Sequence, residues 1–242
     1  MEDPLKLKID GIEVQVERGS TILEAAEAVG IEIPVLCYFA HTTSNGLCRL
    51  CVVEIDGVRG MQAACVALAQ EGSEVHTDSD AVRRARKTIL EMLAFSVDLS
   101  EAPELQELLN RYDAEPERFE GGKKRDLPLY DDNPVYVRDY SQCVMCWRCV
   151  QVCAEDAQYT YAINFSGRGF ESTIGTFFDK PIPETTCVFC GQCVGVCPTG
   201  ALKGKREFLF EQGVSPDEIF QVTRKNGKKQ RSVKGPHLDR GG

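Results

Sequence analysis

Apolar and polar residues alternate strictly at the start of the chain. Leu5, Leu7 and Ile9 are separated by Lys6 and Lys8, and Ile12, Val14 and Val16 repeat the pattern. A period of two puts alternate side chains on opposite faces of a strand. Asp10-Gly11 between the two runs is the strongest short-range hairpin signal. Thr21 with Glu24 three residues on forms a capping box, which predicts a helix over 22–29, and Gly30 suits the left-handed position just past its end. Val52, Val53 and Ile55 before Asp56-Gly57, with Val58 after it, predict a second strand pair; Val75 and Thr77 predict one strand more. Between these elements, His41-Thr42-Thr43-Ser44-Asn45-Gly46 is turn chemistry, so the stretch from Cys37 to Cys51 should be irregular.

Helical spacing takes over at residues 80–112. Val82, Ala85, Ile89 and Met92 recur at three and four, the mark of one buried face, and Arg83, Arg84, Arg86 and Lys87 are expected on the solvated side. A second short helix should begin near Ser100, with Leu105, Leu108, Leu109 and Tyr112 as its apolar side. Glu120-Gly121-Gly122-Lys123-Lys124-Arg125-Asp126 reads as a polar connector. Hairpin, helix, cysteine-bearing loop and further short strands within about 80 residues is the element order of a β-grasp ferredoxin.

Composition changes the picture through charge. The 242 residues carry a net −9, but residues 1–202 hold 18 basic and 32 acidic side chains while residues 203–242 hold 10 and 5. An acidic body argues against nucleic acid, because phosphate binding needs clustered Lys and Arg. The basic C-terminal stretch, with Arg224-Lys225 and Lys228-Lys229-Gln230-Arg231, reads as a solvated end or as a docking element for an acidic neighbour. MEDPLKLKID has neither a basic nor an apolar signal region, and no run reaches a membrane span. A cytoplasmic location is therefore expected, where cysteines bind metal rather than pair as disulfides.

Twelve cysteines fall into three sets of four with none left over: Cys37, Cys48, Cys51 and Cys65; Cys143, Cys146, Cys149 and Cys153; Cys187, Cys190, Cys193 and Cys197. Thiolates are soft ligands that suit iron in clusters. The third set has the C-x2-C-x2-C-x3-C-P spacing of bacterial 4Fe–4S ferredoxins, in which the fourth cysteine ligates the other cluster. The second set repeats it 44 residues earlier, with Ala154 in place of proline. The expected ligand sets are therefore crossed: Cys143, Cys146 and Cys149 with Cys197, and Cys187, Cys190 and Cys193 with Cys153. The first set, C-x10-C-x2-C-x13-C, shares its central C-x2-C with plant-type ferredoxins and fits a 2Fe–2S cluster. Structural zinc is the alternative, but zinc usually takes two separated C-x2-C pairs rather than two full four-cysteine runs.

None of His41, His76 and His237 stands at ligand spacing from a spare cysteine. Met145, Trp147 and Phe189 lie between cluster cysteines and should shield them from water. The sequence carries no Walker A run, no G-x-G-x-x-G fingerprint and no Ser/His/Asp signature, so no substrate site is expected on this chain.

PVLCYFAHTTSNGLCRLCVVEI, the GRGFESTIGTFFDKP stretch at 167–181 and CVFCGQCVGVCPTGAL together resemble a known family. It comprises the N-terminal ferredoxin region of the large iron–sulfur subunit of respiratory NADH dehydrogenase. Related regions occur in iron-only hydrogenases, in diaphorase subunits of soluble NAD-reducing hydrogenases and in NAD-dependent formate dehydrogenases. The likeness covers about residues 5–205. The family's additional cluster, on one histidine and three cysteines, would fall near Ser96, Ser100, Pro103 and Leu109, none of which ligates iron. That cluster should be absent, with Leu105, Leu108 and Leu109 filling its place; electrons then cross directly, which requires the two domains to pack closely, or a partner's cluster bridges the gap. The chain ends about 45 residues after Cys197, so the catalytic chemistry is expected on another polypeptide.

The resemblance implies an α+β chain in four parts: a β-grasp 2Fe–2S ferredoxin-like domain at 1–80, a helical linker at 81–130, a double 4Fe–4S domain at 131–210 and a basic tail at 211–242. It implies a redox subunit of a cytoplasmic NAD(P)-linked oxidoreductase, carrying one 2Fe–2S and two 4Fe–4S clusters. Its partners would be an FMN-containing, NAD(H)-binding subunit and a separate catalytic subunit acting on formate, hydrogen or another low-potential couple. Neither nucleic acid nor membrane insertion is expected. The alternative is a free, diffusible polyferredoxin.

Overall fold

The computed structural model describes residues 3–224 except Glu120 and Gly122. The basic run beyond Arg224, with His237, lies outside the described residues, as does part of the 120–126 connector.

The opening hairpin forms as its alternation requires. β1 (Leu5–Ile9) pairs antiparallel with β2 (Ile12–Val16), and Leu5, Leu7, Ile9 and Val14 are buried. Asp10 and Gly11 both take positive φ at the turn, which Gly adopts freely and Asp tolerates. The hairpin turn is then fixed to the chain just past Glu74–His76, where Asp10 accepts hydrogen bonds from Thr77 N (2.8 Å) and Thr77 Oγ1 (2.5 Å).

α1 (Ile22–Ala28) starts on the capping box: Glu24 N donates to Thr21 Oγ1 at 3.2 Å and Thr21 N donates to Glu24 Oε2 at 2.7 Å. Gly30 closes it at φ 75°. β3 (Val52–Ile55) pairs antiparallel with β4 (Gln62–Ala63), so the return strand begins at Gln62 and the expected Val58 is an exposed turn residue. The turn there takes six residues because the sheet needs Ala63 opposite Val52, next to Cys51. β5 (Glu74–His76) lies between β1, parallel, and β3, antiparallel, giving the order β2-β1-β5-β3-β4. Ile9, Val53, Val75, Ala25 and Ala26 are fully enclosed between this sheet and α1.

α2 (Asp80–Ser96) and α3 (Pro103–Arg111) form the linker. The buried face of α2 differs from the expected one. It runs through Val82, Arg86, Leu90 and Glu91, while Met92 is exposed. Arg86, expected in solvent, is 2% exposed, and its guanidinium donates to three buried acceptors, Leu50 O, Val52 O and Tyr112 Oη. Leu105 and Tyr112 are buried, with Leu108 and Leu109 packed against the same cluster.

The last part is built from short elements: β6 (Leu129–Tyr130), β7 (Tyr136–Asp139), α4 (Arg148–Cys153), β8 (Asn164–Ser166), β9 (Thr173–Gly175), α5 (Gln192–Gly195), β10 (Leu202–Gly204), α6 (Lys205–Glu211) and α7 (Pro216–Thr223). β10-β7-β6 make a three-stranded antiparallel sheet. β8 and β9 make a separate hairpin in the stretch between the two cysteine motifs. α7, capped by Ser215 and Glu218, stands where the sequence suggested only a tail. No helix among the described residues is long and apolar enough to cross a membrane.

Candidate metal centres

The first four cysteines converge on the edge of the β-grasp sheet. Cys37, Cys51 and Cys65 are buried and Cys48 is half-buried. The Sγ atoms of Cys51 and Cys65 stand 3.3 Å apart. Backbone N–H groups point at sulfur: Cys37 N and Leu50 N each donate to Cys48 Sγ at 3.4 Å, and Cys48 N donates to Cys37 Sγ at 3.5 Å. Arg49 takes φ 60° to turn the chain between Cys48 and Cys51. Hydrogen bonds from Cys48 and Cys65 hold the Cys37 thiol far below its usual range, and one from Cys65 lowers Cys51 to about 7. The same bonds push Cys48 and Cys65 up. The four thiols are thus linked to one another as one cage.

The two later motifs repeat each other in backbone as well as in sequence. Met145 and Phe189 have φ of 55° and 57°, and Trp147 and Gly191 have 73° and 77°. Non-glycine residues pay about 1 kcal/mol or more to hold such angles, and this strain gathers at functional loops. In each motif the N–H of the strained residue donates to the first cysteine, Met145 N to Cys143 Sγ and Phe189 N to Cys187 Sγ, both at 3.4 Å. α4 and α5 then start at Arg148 and Gln192; each carries the third cysteine of its motif, and the chain leads on from there to the fourth, at the end of α4 for Cys153 and just past α5 for Cys197.

Two cavities result. One is lined by Cys143, Cys146, Cys149 and Cys197. The other is lined by Cys187, Cys190, Cys193 and Cys153. Each takes three thiols from one motif and the fourth from the other. Burial pushes Cys143 up to about 11 and Cys146 and Cys193 up to about 12. Among the described residues no three His, Cys, Asp or Glu side chains converge tightly enough for a single metal ion. Four soft sulfurs around a cavity, with N–H groups aimed at them, fit a cluster.

Met145 and Trp147 line the first cavity, and Trp147 meets Phe165 edge-on at 5.0 Å. The second cavity is lined by Val188 rather than Phe189, which packs into the adjoining core. His41 is exposed with its ring edge against Phe39, and His76 pairs with Asp56 at 3.0 Å. Ser96 bonds back to Met92 O, Pro103 opens α3, and Leu109 packs into the linker's apolar cluster.

Several polar residues that no local sequence signal marks join the sites. Arg86 donates to Leu50 O (3.2 Å), Val52 O (2.9 Å) and Tyr112 Oη (2.9 Å), so it grips the chain on both sides of Cys51. Arg125 donates to Cys143 O at 3.2 Å. The first cysteine loop is tied to α4 and its C-terminal turn: Asp156 accepts from Thr43 N and Thr43 Oγ1, each at 2.8 Å, Asn45 donates to Gln151 Oε1 at 3.2 Å, and Arg148 donates to Tyr38 O. Leu36, Cys37, Leu50, Leu90, Val144 and Cys146 share one buried apolar cluster. The first cage and the first cavity therefore each contribute a cysteine to the same apolar cluster.

This fold and these sites define an iron–sulfur protein in which a 2Fe–2S ferredoxin-like domain is followed by a double 4Fe–4S domain. Residues 2–80 match the family described as 2Fe-2S iron-sulfur cluster binding domain, and residues 142–201 match the 4Fe-4S dicluster domain. The chain is similar to part of the 78 kDa polypeptide of NADH-ubiquinone oxidoreductase and of the hydrogenase protein HndD. It is 35% identical over 238 residues to "NADP-reducing hydrogenase subunit HndD" of Solidesulfovibrio fructosivorans, covering 90% of this chain and 39% of that one. It is 32% identical over 209 residues to "NADH-ubiquinone oxidoreductase 78 kDa subunit, mitochondrial" of Candida albicans, covering 83% and 28%. It thus spans well under half the length of these relatives. A chain in the crystal structure of an NAD+-reducing [NiFe]-hydrogenase in the H2-reduced state superposes with a TM-score of 0.74 at 27% identity, covering 89% of this chain and 98% of that one.

Proposed function

We propose that this chain is a cytoplasmic electron-transfer subunit of a multisubunit NAD(P)-linked oxidoreductase, relaying single electrons between a flavin-bearing, NAD(H)-binding partner and a separate catalytic subunit. The ligands are Cys37, Cys48, Cys51 and Cys65 for one 2Fe–2S cluster. Cys143, Cys146, Cys149 and Cys197 hold one 4Fe–4S cluster, and Cys153, Cys187, Cys190 and Cys193 hold the other. The observation that carries this reading is the crossed pair of cavities, each completed by a cysteine from the other motif. Bound clusters supply one-electron redox centres whose potentials follow ligation, hydrogen bonding and exposure.

The residues of the chain set where those centres sit. Asp156, Gln151 and Arg148 clamp the first cysteine loop onto the double domain, and Val144 and Cys146 close the gap with apolar contact. Leu47 and Val66, each beside a cysteine of the first set, are exposed apolar residues, which supports docking of a partner there. Purification of the native complex under anaerobic conditions tests this. Recovery of an FMN-containing partner, with NADH bleaching the complex but not the isolated chain, is expected. Isolation as a lone monomer with no flavoprotein partner sinks the proposal.

A further inference from the structure

Tyr136 and Tyr140 lie four residues apart on and just past β7, and they face different cavities. Tyr136 lines the cavity of Cys153, Cys187, Cys190 and Cys193; Tyr140 lines that of Cys143, Cys146, Cys149 and Cys197. Both residues are 2% exposed. The Tyr136 hydroxyl is 3.6 Å from Cys187 Sγ. A metal-bound thiolate has no proton, so the phenol is the donor in that pair. The Tyr140 hydroxyl is buried, and no acceptor for its proton stands within hydrogen-bond distance among the described residues. Arg138 stands over its ring at 6.0 Å, but a guanidinium only donates and cannot take the phenol proton. A buried phenol with no acceptor costs free energy unless the cavity itself provides one.

We propose that Tyr136 and Tyr140 are the potential-setting hydrogen-bond donors of the two 4Fe–4S sites, one phenol for each. The inference rests on the cluster assignment above. The other hydroxyls near the sulfurs are already engaged. Thr199 Oγ1, 3.7 Å from Cys197 Sγ, gives its proton to Gln142 O at 2.9 Å. Thr160 Oγ1, 3.3 Å from Cys153 Sγ, has Cys153 O at 3.2 Å as a competing acceptor. Among the described hydroxyls lining the cavities, Tyr136 and Tyr140 are thus the buried ones whose protons are left for sulfur. A donor to sulfur favours the reduced, more negative cluster, so each phenol raises the potential of its own site.

The test is a redox titration, followed by electron paramagnetic resonance, of the anaerobically purified full chain and its Tyr136→Phe and Tyr140→Phe variants, with iron and sulfide measured on each. Tyr136→Phe should lower the midpoint of the cluster on Cys187 and leave the other in place; Tyr140→Phe should do the reverse. The expected change is about tenfold in electron partition between the two sites, 59 mV for a one-electron couple. Full cluster content with unmoved midpoints, or with both midpoints moved alike by either variant, overturns the inference and leaves the cluster assignment standing. Absence of two 4Fe–4S signals from the unmodified chain overturns both.

Discussion

Replacing Arg86 by methionine removes the guanidinium that grips the chain around Cys51 while keeping an unbranched apolar stem of similar reach. Three acceptors lose their donor: Leu50 O, Val52 O and Tyr112 Oη, formerly at 3.2, 2.9 and 2.9 Å. Leu50 is fully buried and Val52 and Tyr112 nearly so, which keeps water from taking over. A buried group left unsatisfied costs about 1–3 kcal/mol. Three of them, less the desolvation cost that the departing charge no longer incurs, leave about 3–5 kcal/mol. For a chain of this size that corresponds to a fall of on the order of 10 °C in the thermal midpoint. The assay is anaerobic thermal unfolding of the cluster-loaded chain, with the visible absorption of the 2Fe–2S site followed separately. Arg86→Met should lower the midpoint and release the first cluster before the other two. A midpoint within about 2 °C of the parent, with the first cluster retained, would refute the idea that Arg86 holds the cysteine loop.

Asp156→Ala removes both acceptors of Thr43; loop residues 41–47 should exchange amide hydrogens faster, at a stability cost of about 1 kcal/mol, and unchanged exchange would remove the clamp from the account. Gly191→Ala meets no atom within 4 Å, so its cost of about 1–2 kcal/mol should come from the φ of 77° alone, read by chemical denaturation; no loss of stability would contradict that. In the iron-free chain, burial raises Cys143 to about 11 and Cys193 to about 12. The unfolded thiol ionises near 8.5, so the folded state is favoured below that pH and loses this contribution as pH rises through 11–12. Thiol labelling should stay slow at these cysteines at pH 9, and fast labelling there would contradict their burial. Cys197→Ser should abolish the 4Fe–4S signal of the Cys143 motif, although Cys197 belongs to the other motif; loss of the Cys187-motif cluster instead would refute the crossing.

Local signals carried the parts of the fold whose cause is local. The Thr21–Glu24 box, the Asp10-Gly11 turn and the cysteine spacings each act within a few residues, so each was readable from the chain. Arg86 shows where such reading stops. A run of Arg83, Arg84, Arg86 and Lys87 looks uniformly solvated, yet α2 turns Val82, Arg86 and Leu90 inward because an irregular cysteine loop leaves carbonyls that need a donor. Nothing near Arg86 in sequence announces those carbonyls. The clamp on the first loop has the same character, since Thr43 and Asp156 are 113 residues apart. Tyr136 likewise reaches a cysteine 51 residues away.

The central claim is that the twelve cysteines hold three clusters and no other metal. Mössbauer spectroscopy with metal and acid-labile sulfide analysis on the anaerobically purified, iron-57-labelled chain tests it most directly. About ten irons and ten sulfides per chain, resolved into one 2Fe–2S and two 4Fe–4S components, are expected. Stoichiometric zinc with little iron and no sulfide would contradict it.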